Sequence, residues 1–211
     1  MFTWCLLGMV FRGTGRSVTV TRIGPGTAGA GVFLAALAWL QATQHTSWYV
    51  SQYALGPGWL VWSLGLLGLS VAGTAVGMGL IHDADPRRRL AGRVLVLVGL
   101  GGAWLVVWRA DPGSLPTDTF VGRVHIYGAV AMFVLGWLAS VLIASTASDR
   151  RAVAWAVVLT VALLWLLVAF IQQVDAVKWA QRSVVASLAA WLIFLERTQL
   201  AASVKPAPST R

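Results

Sequence analysis

His125, Asp118 and Arg182 are the side chains of this sequence best suited to chemistry, and what they could do is transfer a proton or hold an anion. Histidine titrates near neutrality, so His125 with the nearby Asp118 forms a candidate acid and base. Arg182 follows Asp175 and Lys178 at helical spacings of three and four, which puts all three on one face. Ser51 and Gln52 offer a hydroxyl and an amide in a stretch without charge, and Arg123 stands two residues before His125. The candidate ligand-binding set is therefore Ser51, Gln52, Asp118, Arg123, His125, Asp175 and Arg182. Arg123 and Arg182 are expected to grip an anion through charge-assisted hydrogen bonds, with Asp118 and His125 orienting them.

Other chemistries lack their parts. The sequence contains no G-x-S-x-G, H-E-x-x-H, phosphate-binding loop or dinucleotide fingerprint. A single cysteine, Cys5, precludes a disulfide framework or a cysteine metal cage. Catalytic zinc needs about three converging protein ligands, and bis-histidine haem needs two histidines at equal depth. His45, His82 and His125 fall in separate segments, so neither a metal nor any other cofactor is expected. A non-enzymatic role leads; the alternative is a membrane-embedded hydrolase or transferase using Asp118 and His125 on a lipid-linked substrate. A small-solute transporter ranks third, because none of the seven acidic residues falls at a predicted mid-membrane position.

These residues are carried by six apolar runs: Ile23 to Leu40, Trp59 to Ile81, Leu90 to Trp108, Ile126 to Ser145, Ala152 to Ile171 and Trp179 to Leu195. Each is close to the ~20 residues with which a helix crosses ~30 Å of hydrocarbon. The fold class is all-α, a six-helix transmembrane bundle. With the N-terminus in the cytoplasm, inward segments hold twelve Lys and Arg residues, among them Arg87, Arg88, Arg89, Arg150 and Arg151, against Arg109, Arg123, Lys178 and Arg182 outside. That distribution obeys the positive-inside rule and puts both termini in the cytoplasm. A multi-pass protein of the plasma membrane follows, its net charge of +9 serving orientation and lipid headgroups, with no nucleic-acid partner.

Three regions are expected: a cytoplasmic or interfacial segment over 1–22, the membrane domain over 23–197, and a disordered tail over 198–211. Met1 to Phe11 is apolar but too short to span, with Arg12 and Arg16 on the wrong side for a secretory signal. It is read as an interfacial piece or an over-extended start, with Met9 the true first residue. In helix two, Gly73 and Gly77 have G-x-x-x-G spacing, which lets two backbones approach closely. Packing inside the bundle is the first reading and a homo-oligomer or larger membrane complex through this helix the second. Membrane lipids are the expected partners, with the polar outer loops forming a vestibule for an anionic headgroup or small anion.

The run Ser51-Gln-Tyr-Ala-Leu-Gly-Pro-Gly-Trp-Leu60, then Ala110-Asp-Pro, Pro116-Thr-Asp118, Gly122-Arg-Val-His125 and Gln181-Arg182, resembles a bacterial and archaeal membrane family catalogued as domain of unknown function 998. The resemblance covers roughly Gly24 to Arg197. The chain departs from it at Gln52, where the family often has an acidic residue. It implies six helices and an integral membrane location, and no particular activity.

Overall fold

The structure is a computed structural model that describes residues 23–44, 49–109, 119–172 and 175–203. It contains α1 (Pro25–Thr43), a 3-10 helix η1 (Val50–Leu55), α2 (Trp59–Leu80), α3 (Pro86–Val107), α4 (Phe120–Ala144), α5 (Arg150–Ile171) and α6 (Ala176–Ser203). All six α-helices are long and apolar enough to cross a membrane, so the protein is a six-helix membrane bundle. The segment 1–22, His45, Asp111, Asp118 and residues 204–211 lie outside the described residues.

Two helix boundaries differ from the apolar runs by more than five residues. α4 begins at Phe120, not Ile126, because Thr119 caps it by accepting the Gly122 N–H at 3.0 Å. Arg123 and His125 are thereby drawn into the first turns of a helix. α6 continues to Ser203, so the stretch expected to be disordered from 198 is helical for its first six residues.

Short connections make consecutive helices neighbours, and α6 returns to pack on α1 and α2. The spanning window of α2 is 56% buried and that of α5 only 22%, so α2 lies at the heart of the bundle and α5 at its edge. Leu60, Leu64 and Leu67 on α2, Leu97 and Leu100 on α3 and Val157, Val161 and Leu164 on α5 are exposed, as a hydrocarbon solvent permits.

Lipid gives helices no hydrophobic reason to associate, so the seams rely on close approach. The G-x-x-x-G pair of α2 is used within the chain. Gly77 lies against Gly92 and Gly73 against Gly99, and Ser70 Oγ donates to the Gly99 carbonyl at 2.5 Å. A Cβ at Gly77 would stand 2.7 Å from the Gly92 carbonyl oxygen, a separation that only glycine allows.

Of the acidic residues at the arginine-rich end, Asp85 and Asp149 cap helices and Asp83 forms an ion pair. Asp85 accepts from Arg87 N at 2.7 Å, Asp149 accepts from Arg151 N at 2.9 Å, and Asp83 pairs with Arg88 at 3.1 Å. α1 begins Gly24-Pro25-Gly26 with no capping side chain of its own. Its first amides are satisfied from α6: Glu196, only 6% exposed, accepts from Gly26 N at 2.7 Å and Thr27 N at 2.5 Å.

Candidate functional site

At the opposite end of the bundle η1, which lies between α1 and α2 in sequence, folds inward. The Gln52 side chain accepts the Tyr49 N–H at 3.0 Å and so starts the turn. Val50, Tyr53 and Ala54 are buried, and Tyr53 packs its ring 6.4 Å from Trp62, which in turn lies 6.1 Å from Phe33. Two consecutive side chains of α6 hold η1 in place. Gln181 Oε1 accepts the Val50 N–H at 3.1 Å, and Arg182 Nη2 donates to the Tyr53 hydroxyl at 3.1 Å.

Arg182 is 4% exposed. Its Nη1 donates to the Lys178 carbonyl at 2.9 Å, and its guanidinium carbon stands 5.1 Å from the Trp179 ring and 5.9 Å from that of Tyr53. Hydrogen bonds and aromatic faces thus stabilise the buried cation. Asp175 instead bonds to Lys178 at 2.8 Å, and that ammonium holds its carboxyl below the usual aspartate range. The expected face of Asp175, Lys178 and Arg182 is present, yet it divides into an exposed ion pair and a buried latch for η1.

His125 is buried on α4, where its Nδ1 lies 2.7 Å from the Trp108 carbonyl at the end of α3. A carbonyl only accepts, so in this contact Nδ1 bears the hydrogen. Arg123, two residues earlier, is about 200° away around the helix and exposed. Asp118, the proposed partner of His125, lies outside the described residues.

Beside His125 opens a groove of about 360 Å³, bounded by α4, α5, α6 and the start of η1. From α4 it takes Ile126, Ala129, Val130, Phe133 and Val134; from α5, Leu163, Leu166, Leu167 and Phe170. Its polar groups, Tyr49, Ser51, His125 and Gln181, come from residues near the η1 end. The groove exists because α4 and α6 barely touch while each packs on α5. Of the sequence-derived set, Ser51 and His125 meet at this groove; Gln52 shapes η1, Arg182 latches it, and Arg123 and Asp175 stand apart.

A family model described as "Protein of unknown function (DUF998)" matches residues 22–198. The chain belongs to the DUF998 family. No curated protein and no solved structure matches it. The match runs from ahead of α1 to within five residues of the end of α6 in this DUF998 protein and agrees with the resemblance carried by Ser51, Pro116-Thr-Asp118, His125 and Gln181-Arg182.

The sequence-derived set omitted Tyr53 and Gln181. Tyr53 sits in an apolar context that reads as an interfacial ring, and Gln181 is one amide in an otherwise helical stretch. Their roles depend on η1 folding back, which helical periodicity does not encode. The apolar wall of the groove was hidden for a different reason: its residues are of the same types as those that face lipid.

Proposed function

We propose that this DUF998 protein is a non-enzymatic, multi-pass protein of the plasma membrane that binds a membrane lipid in the groove between α4, α5 and α6. One acyl or prenyl chain lies against Ile126, Ala129, Phe133, Val134 and Leu163, and its head meets Ser51, His125 and Gln181. With both termini in the cytoplasm, as the arginine distribution favours, the head lies at the outer surface.

The groove carries this reading. Its volume of about 360 Å³ falls within the range of small-molecule sites, and its wall is apolar with polar groups at one end only. From His125 to Val134 the lining of α4 advances nine residues, about 13 Å at ~1.5 Å per residue and close to half of the ~30 Å hydrocarbon. That is the depth of one leaflet, so a chain entering from the outer surface fits without crossing the midplane.

Native mass spectrometry of the protein extracted in mild detergent tests the proposal. Val134→Trp fills the groove from an already exposed position and is expected to remove about one equivalent of co-purifying lipid; Ala129→Leu should act in the same direction. Val157→Trp, exposed on α5 but outside the groove, should leave the lipid complement unchanged. Equal lipid content in all three variants and the parent would refute the reading.

A further inference from the structure

We infer that the lipid recognised in this groove has an uncharged, hydroxyl-bearing head, as a diacylglycerol does, and is not an anionic phospholipid. The inference rests on the lipid reading of the groove and concerns what its polar end selects.

The four polar side chains there are a phenol, a hydroxyl, an amide and an imidazole, none with a permanent charge. Gln181 gives its Oε1 to the Val50 N–H, so the group it extends toward a ligand is an amide donor. Tyr49 and Ser51 can each donate and accept. His125 is oriented by its Nδ1 bond to Trp108. A hydroxyl placed among them finds donors and acceptors on several sides, and a satisfied buried hydroxyl costs little.

An anion at the same place meets no permanent positive charge among the described residues that line the groove. Arg182, the cation nearest in sequence to Gln181, is buried and turned toward the Tyr53 hydroxyl, the Lys178 carbonyl and the Trp179 ring. Recruiting it would release η1 and with it the positions of Tyr49 and Ser51. Lys178 is bonded to Asp175, and Arg123 projects from another side of α4. A phosphate at the mouth of this groove gains no fixed ion pair to offset the water it gives up there. Exclusion of the anion follows from where the cations are fixed, since the bundle end itself is not short of them.

The closing experiment uses delipidated full-length protein and three probe lipids with identical chains: dioleoylglycerol, dioleoyl phosphatidic acid and dioleoyl phosphatidylcholine. Occupancy is read by native mass spectrometry. Dioleoylglycerol should be retained at least about tenfold over phosphatidic acid, a difference of about 1.4 kcal/mol, in a manner abolished by Val134→Trp and reduced several-fold by Ser51→Ala. Phosphatidic acid binding as well or better, still sensitive to Val134→Trp, overturns the inference while the lipid reading stands. A preference for dioleoylglycerol that is indifferent to Ser51→Ala also overturns it. Binding of all three lipids that ignores Val134→Trp overturns both.

Discussion

Glu196→Ala is expected to destabilise the protein by about 3 kcal/mol or more, seen as a lowered midpoint of thermal unfolding in detergent. The carboxylate is 6% exposed and accepts the N–H groups of Gly26 and Thr27, which open α1. A hydrogen bond to a charged group contributes about 1.5–3 kcal/mol, and a buried amide left without an acceptor costs about 1–3 kcal/mol. Against this, alanine no longer bears the desolvation of a buried carboxylate, which returns part of the loss. The two orphaned amides decide the sign, because α1 has no capping side chain of its own to replace Glu196. Glu196→Gln keeps one acceptor oxygen and should fall about midway. A midpoint for Glu196→Ala within about 1 kcal/mol of the parent would show that water satisfies the start of α1.

Gly99→Ala should be nearly as damaging, at about 2–3 kcal/mol, although alanine is the better helix former. A Cβ there would lie 2.7 Å from the Ser70 carbonyl oxygen and 2.8 Å from the Thr74 nitrogen, both backbone atoms that cannot turn aside. The seam between α2 and α3 would have to open and would stretch the Ser70 to Gly99 bond. Gly31→Ala is the matched control. No atom lies within 4 Å of its hypothetical Cβ, so the intrinsic helix preference of about 0.5–1 kcal/mol acts alone and the variant should be stabilised. Chemical denaturation in mixed micelles reads both. Equal effects of the two substitutions would contradict tight packing at Gly99.

The spans were legible because a membrane-crossing helix needs a long apolar run, and six such runs in the sequence became six helices. The seam made by Gly73 and Gly77 was legible as well, since close approach requires small residues at that spacing. The site was legible in part. His125 and Ser51 stood out as polar groups among apolar ones, and they do line the groove. Arg182 was found for its cost in the membrane, but its partners lie on η1, 129 residues away at Tyr53, and no local pattern points there. A search for missing caps would have found Glu196: Gly24-Pro25-Gly26 opens a helix with no acceptor, and an isolated carboxylate near the end of α6 answers it.

The two grips of α6 restrict how the protein can move. Gln181 clasps the backbone of η1 near one end, and Glu196, fifteen residues and about 22 Å farther along, clasps that of α1 near the other. Any piston-like slip of α6 along its axis would have to break both clasps together. Rocking of α5, the helix at the edge of the bundle, breaks neither clasp, so on the lipid reading the groove would open at α5 while the sixth helix stays still.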